Sequence, residues 1–333
     1  MKTTDMILNS PPEINGLKLR KFAGDGDFPA MMAIIQAAAQ ADREETGETL
    51  EDLKHDYAHL TNSDPYQDVI LAAIHGEPVA YARVEWWQEE QPNDRIYTHF
   101  INIHPAWRGQ GIEQAMIGWC EARLQEIAEG HPRDSKRFFQ TYSSEFKTGL
   151  NDILASLGYT PERYFIEMSC PLADIPSAEL PPSIDARPVN KGEERKIWDA
   201  ANEAFRDHWG YAEPKEEHFI AYCGSKYFQP ELWQVAWDGD EVVASVMNFI
   251  DHDYNQRYNR KRGWTENIST RKPWRKQGIA KALIVRSMHM HKAKGMTEVG
   301  LGVDTNNPTG ALKLYQNLGY KKDKTFITYR KPL

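Results

Sequence analysis

Apolar and polar positions along this chain change period in a fixed order, and the order occurs twice. An early strand, LKLRKF in the first half and IDARPV in the second, leads into a helical stretch, AMMAIIQAAAQA or ERKIWDAANEAF. Two alternating runs joined by a tight glycine turn follow, VILAAIHGEPVAYARV and WQVAWDGDEVVASVMNF, and read as antiparallel hairpins. Each half then has a strand entering a basic glycine turn and an amphipathic helix, and closes on a helix ending LGY before a last strand. The spacing agrees: Arg20 to Arg187 is 167 residues, Gly76 to Gly239 is 163, Arg108 to Arg275 is 167 and Gly158 to Gly319 is 161. Such drift is what loop insertions leave in a duplicated domain.

The pattern predicts an α/β (α+β) chain of two tandem domains, each a mostly antiparallel central sheet flanked by helices, because runs of adjacent strands replace strict strand–helix–strand alternation. SCPLADIPSAELPPS, residues 169–183, holds four prolines, no aromatic residue and no helical period. It reads as a connector. The expected organisation is a domain over 1–170, a linker over 171–183 and a second domain over 184–333.

Composition narrows the classes. No apolar run reaches the roughly 18 residues that span a bilayer, and MKTTDMILNSPPE lacks the apolar centre of a signal peptide. A cytoplasmic chain with no membrane partner is expected. Cys120, Cys170 and Cys223 form no CxxC pair, so neither a disulfide framework nor a cysteine metal site is expected. Two histidines of HMH at 289–291 fall on different helix faces, and no metal is expected there either. The net charge of -8 is uneven. Residues 1–182 carry 15 Lys and Arg against 29 Asp and Glu, whereas residues 183–333 carry 25 against 19. The second half is the better host for an anion.

Its basic stretch shows where. After the strand TENIST, the residues RKQGIAKALIVRSMHMH begin a helix whose Ala280, Leu283, Ile284 and Met288 share one face. First-turn amides of a helix have no intrahelical partner and sit at the positive end of its dipole, so they receive phosphate oxygens. Gly278 lacks a Cβ and Ala280 carries only a methyl group, which lets a pyrophosphate approach the amides from Gln277 through Ile279 to Ala280, while Arg275 and Lys276 add charge. Between Arg257 and Lys294 there are twelve Lys or Arg and a single acid, Glu266.

RKQGIA at 275–280 fits the Q/R-x-x-G-x-G/A acyl-CoA signature, and NNPTGALKLYQNLGY at 306–320 is similar to a second hallmark, N-x-x-A-x-x-L-Y-x-x-x-G-F. On these two motifs the chain resembles the GNAT superfamily of N-acetyltransferases, and its repeated layout is similar to tandem proteins of the mycothiol synthase type. Asn307 lies eight residues before Tyr315 where the common spacing is seven. The resemblance implies acetyl transfer from acetyl-CoA to a primary amine of a small-molecule or peptide acceptor by direct attack, without a metal. It further implies Tyr315 as the acid for the departing thiolate, Asn307 as a cofactor contact, and the main chain of Ile268, Ser269 and Thr270 as the cradle of the pantetheine arm.

Mycothiol synthase-like relatives carry a strand glutamate where this chain has Trp264, so the candidate base is Glu266, two residues along on the same strand face. Trp209, Tyr211 and Asp251 are acceptor-side candidates, Asp251 in a polar hairpin loop. In the first repeat the turn WRGQGIEQAM puts Glu113 where the second has Ala280, and Leu154 stands where the second has Tyr315. One working site, in the second half, is expected. A non-catalytic acyl-CoA sensor is an alternative, and a nucleic-acid binder a weaker one, because the latter leaves Gly278, Ala280 and Tyr315 unexplained; no nucleic-acid partner is expected. The chain is expected to act as a monomer or homodimer.

Overall fold

The computed structural model describes residues 12–333. The chain divides into two compact units, Met1–Arg163 with Phe326–Leu333, and Tyr164–Thr325. The first unit begins with β1 (Leu17–Lys21), α1 (Phe28–Ala41), α2 (Leu50–Ala58), α3 (Pro65–Asp68) and β2 (Val69–Ile74). It continues with β3 (Glu77–Gln88), β4 (Arg95–Ile103), α4 (Ile112–Glu129), β5 (Arg137–Ser144) and α5 (Thr148–Ser156). Strands β1 to β4 are antiparallel neighbours in order, and β5 joins β4 in parallel. All six residues of β2 are buried because both faces of the sheet are covered. Ile70, Ala72 and Ile74 meet Met116, Ile117 and Leu124 in one core, while Val69 and Leu71 meet Met31 and Ile34 in another. A strand with period two and no polar face needs two such layers.

From Thr160 the chain runs through β6 (Thr160–Pro171), β7 (Asp185–Arg187), α6 (Glu194–Phe205), α7 (Glu216–Gly224), β8 (Gln234–Asp238) and β9 (Glu241–Phe249). Then come α8 (His252–Tyr258), β10 (Arg262–Thr270), α9 (Ile279–Ala293), β11 (Glu298–Asp304), α10 (Ala311–Asn317) and β12 (Lys321–Pro332). In the second unit β7 to β10 are antiparallel neighbours, and β11 is parallel to β10. Ala236, Ala244 and Val246 pack with Leu283, Ile284 and Met288 of α9, and Val235, Trp237 and Met247 pack with Ile197 and Ala201 of α6. The face of α9 read from the sequence is the buried one, with Ala280 at its half-buried edge.

The compact units do not follow the halves of the sequence. The sequence reading assigns 1–170 to one domain and 184–333 to the other. In the structure, Phe165–Pro171 of β6 pair antiparallel with β11 and belong to the second unit. Conversely, Phe326–Pro332 of β12 pair antiparallel with β5 and belong to the first. Each unit's sheet is thus closed by a strand from the end of the other repeat. Leu172 is buried and Ile175, Ala178 and Leu180 pack on the second unit's core, so the proline-rich stretch lies against that core.

Arg262 fastens this arrangement. Its guanidinium, 3% exposed, donates to Glu298 of β11 at 2.9 Å, Glu167 of β6 at 3.3 Å and Asp323 of β12 at 3.1 Å.

Candidate active site

A wedge opens in the second unit where two neighbouring strands part. Strands β10 and β11 are paired only from Arg262–Trp264 to Glu298–Gly300, although β10 continues to Thr270 and β11 to Asp304. On its other edge β10 carries a bulge. Glu266 is opposite Met247 and Ser269 opposite Ser245, so Asn267 and Ile268 stand against a single residue of β9, and Asn267 has φ +47°. Asparagine is among the few non-glycine residues that enter this left-handed region readily. A bulge of this kind re-aims main-chain groups. Ser269 is held by a hydroxyl contact to Ser245 at 3.0 Å, and the Thr270 carbonyl accepts from Arg275 at 3.0 Å. In the first unit β4 also parts from β5 beyond Thr98, but β4 stays in unbroken register with β3 from Arg95 to Ile103.

The glycine turn follows β10 directly. Lys276 and Gly278 are left-handed, at φ +62° and +82°, and Gly278 precedes the first residue of α9. A Cβ at Gly278 would meet nothing within 4 Å, so the backbone angle and not crowding requires glycine there. Lys276, Gln277 and Gly278 are exposed, Ile279 is buried, and Ala280 offers only its methyl group. Left-handed residues alternating with ordinary ones before a helix turn amides to one side, a form suited to an anion.

Arg275 departs from its expected role. Its two terminal nitrogens donate to the carboxylate of Asp207 at 2.5 and 3.0 Å and to the Ala204 carbonyl at 2.8 Å. The guanidinium is committed to tying the end of β10 to the end of α6, because a planar fork matches a carboxylate in two places at once. Arg108 does the same in the first unit, donating to Asp42 at 2.5 and 2.9 Å and to the Ile103 carbonyl at 3.3 Å. The first-unit turn differs at Glu113. This side chain is buried, and one of its oxygens accepts from the Gly109 amide at 2.8 Å, so a carboxylate fills the amide cradle that the second unit leaves open.

Glu266 lies on β10 past its last residue paired with β11, and its charge acts on Tyr315 of α10. Burial is the main cause that pushes the Glu266 carboxyl up to about 7, with Glu167 adding to it and a hydrogen bond from the Gly302 amide working the other way. Tyr315 is buried, which raises its phenol above the ordinary value, and the charge of Glu266 raises it further. The two groups therefore sense each other electrostatically.

The acetyltransferase (GNAT) family profile matches residues 29–133 and 195–320, together more than half of the chain. The chain belongs to this family. It is an N-acetyltransferase of tandem layout, and acetyl-CoA is the donor that such folds use. Mycothiol acetyltransferase of Thermobispora bispora is 24% identical over 311 residues, covering 92% of this chain and 96% of that protein. Mycothiol acetyltransferase of an Arthrobacter species is 23% identical over 234 residues, covering 69% and 68%. A GCN5-related N-acetyltransferase from Sphaerobacter thermophilus superposes with a TM-score of 0.74 at 27% identity, covering 96% of both chains. A tandem GNAT protein of clavulanic acid biosynthesis shares the fold at a TM-score of 0.63 and 13% identity, covering 95% of this chain and 98% of that one.

Other expected site residues of this acetyltransferase have contacts of their own within the second unit. Asp251 is 5% exposed, caps α8 by accepting from the Tyr254 amide at 2.9 Å, and pairs with Lys226 at 3.2 Å. The segment read as a polar hairpin loop contains that helix, and Asp251 serves as its N-cap. The side-chain carbonyl of Asn307 accepts from the Thr309 amide at 2.8 Å and hydroxyl at 2.5 Å, which shapes the turn before α10. Trp209 lies 6.4 Å from the ring of Phe165, and the Tyr211 amide donates to the His208 carbonyl at 3.3 Å. His291 is buried and its ring nitrogen lies 3.3 Å from the Trp264 carbonyl, while His289 is exposed.

Sequence reasoning missed a group of aromatic residues beside Glu266. Trp264 stacks on Phe249 at 6.1 Å, with Tyr254 edge-on to Trp264 at 5.8 Å and Tyr227 edge-on to Phe249 at 4.8 Å. Phe249 and Trp264 are directly opposite across β9 and β10. Only knowledge of that register turns two distant aromatic residues into one surface. Among the described residues no helix is long and apolar enough to cross a membrane.

Proposed function

We propose that the second unit of this acetyltransferase carries the chemistry, moving the acetyl group of acetyl-CoA onto a primary amine by direct attack, and that the first unit does not bind the donor. The observation that supports this reading is a bulged strand carrying a carboxyl raised to about 7, whose charge acts on the buried phenol of Tyr315. The turn from Lys276 through Ala280 suits the pyrophosphate, and the main chain of the bulged segment from Ile268 to Thr270 suits the pantetheine arm.

Glu266 accepts the proton that the acceptor nitrogen must lose, and a pKa about 7 matches it to this task at neutral pH. The nitrogen forms its bond to the acetyl carbon while the carbon–sulfur bond breaks. Tyr315 donates a hydrogen bond to the departing sulfur. An alkyl thiol titrates at about 8.5, below the raised Tyr315 phenol, so Tyr315 stabilises the thiolate by donation and keeps its own proton. Phe249 and Trp264 would line the acceptor side. The mycothiol acetyltransferase relatives favour a small-molecule amine there.

Calorimetric titration of acetyl-CoA tests the reading. Wild type is expected to bind one equivalent, and Ala280→Glu, which copies the first unit's carboxylate into the second, to bind none. Two equal equivalents in wild type would overturn the one-site reading, and no binding at all would overturn both parts.

A further inference from the structure

The first unit has a cavity of about 450 Å³ lined in part by Ile101, Ile103, Arg108, Gly109, Glu113, Phe146 and Ile153. These positions correspond to the second unit's bulged strand end, glycine turn and pre-tyrosine helix, so the cavity occupies the place where a donor cleft would be. Its size falls within the range of roughly 300–1,000 Å³ typical of small-molecule sites. Its chemistry is inverted.

Four charged side chains line it. Arg108 is neutralised by the two-pronged pair with Asp42, and Lys147 is paired with Glu44 at 2.9 Å. Glu113 is left without a cation. It is 5% exposed, one oxygen accepts from the Gly109 amide, and the other, Oε2, is buried with no hydrogen-bond partner. A buried carboxylate oxygen without a donor is costly unless something supplies one. The remaining walls are largely apolar, and Tyr142 and Phe146 line the cavity while staying 42% and 41% exposed.

We propose that this cavity is a second ligand site, one that takes a small organic cation: an ammonium group held by Glu113 on an apolar body packed against Ile101, Ile103, Leu150, Ile153 and Phe146. An ammonium supplies the charge that the wall lacks, and a charge-assisted bond to the Glu113 carboxylate in a half-closed cavity is stronger than a neutral one. The same carboxylate repels a pyrophosphate. The site is independent of the chemistry assigned to the second unit.

The test uses the full chain with CoA at saturation, titrated with 2-phenylethylammonium, with hexylammonium, and with uncharged 2-phenylethanol. Either cation is expected to bind with an affinity at least about tenfold above the alcohol's, as expected of a charge-assisted bond. Glu113→Gln keeps an oxygen for the Gly109 amide but removes the charge, and is expected to weaken the cation roughly tenfold or more while leaving the alcohol unchanged. Ile153→Trp fills the cavity without touching Glu113 and is expected to remove binding. A cation bound at the acceptor side of the second unit would be indifferent to both substitutions, and that result overturns the proposal. So does failure of both cations to bind, or preference for the alcohol. Loss of acetyl-CoA binding at the second unit would leave this site's predictions intact, so the two readings fail separately.

Discussion

Arg275 and Asp207, 68 residues apart, form a two-pronged ion pair at 2.5 and 3.0 Å, and Arg108 and Asp42 repeat it in the first unit at 2.5 and 2.9 Å. The basic residue that opens the turn therefore fastens a strand end to a helix end. Arg275→Lys keeps the charge and loses the fork. It is expected to lower stability by about 1–2 kcal/mol for a partly exposed pair, read as an earlier denaturant midpoint, with the acetyl-CoA dissociation constant changed less than threefold. A tenfold loss of donor affinity at unchanged stability would return Arg275 to the phosphate. The Arg275 guanidinium holds the Asp207 carboxyl below its ordinary value. The pair's stabilisation is thus present above the unfolded carboxyl's pKa, about 4, and is lost as pH falls through the lower folded value.

Tyr315→Phe removes one hydroxyl from a buried ring. Turnover is expected to fall by roughly 10²- to 10³-fold, as for loss of a donor to a developing anion, while the calorimetric affinity for acetyl-CoA stays within about twofold. Equal turnover in the two proteins would assign Tyr315 to packing alone.

Glu266 sets the pH dependence. The base must be ionised, so kcat/KM is expected to rise as pH passes about 7 and to level above it. Glu266→Gln is expected to lose this limb and at least about 10² in rate. The stability effect has the opposite sense. Because the folded carboxyl titrates above the unfolded one, the protonated form favours folding, and that contribution is lost as pH rises from about 4 through 7. Glu266→Gln should therefore be more stable than wild type at pH 8, by up to about 3 kcal/mol, and match it at pH 4. Identical melting at both values would show that burial does not raise this carboxyl.

Arg262 binds three carboxylates from three strands while 3% exposed. Arg262→Met removes the cation the three acids share and leaves Asp323 without it, while Lys324 stays on Glu167 at 3.1 Å and Arg260 on Glu298 at 3.5 Å. A loss of about 3–5 kcal/mol is expected for breaking a buried network on one side, measurable by urea unfolding. A loss below 1 kcal/mol would show that solvent already screens the cluster.

Much of the candidate site was legible in local pattern. Gly278 and Ala280 announce a helix start without bulk, and Tyr315 a phenol fixed four residues before a second glycine, whereas the left-handed backbone of Gly278 appears only in the structure. These follow from helix capping and from spacing within about ten residues. Asp251 failed for the complementary reason: in DHDYNQRY polar density suggested a loop, whereas Asp251 begins a helix by accepting from the Tyr254 amide. An acidic residue at such a position is a start signal as well as a loop residue.

By itself the sequence determined that one strand-and-helix order occurs twice, that each half carries a glycine turn before a helix, and that the first copy puts Glu113 and Leu154 where the second puts Ala280 and Tyr315. Only the tertiary structure decided which strand closes each sheet. Strands β6 and β12 carry no mark of their neighbour, because backbone hydrogen bonds are the same for every residue and many edges accept a strand of suitable period. It likewise decided that Arg275 belongs to Asp207, that Phe249 faces Trp264, and that Glu113 stands buried with an oxygen unpartnered. Each depends on which distant atoms the packed chain brings within about 3–6 Å, the range over which hydrogen bonds and ring contacts act.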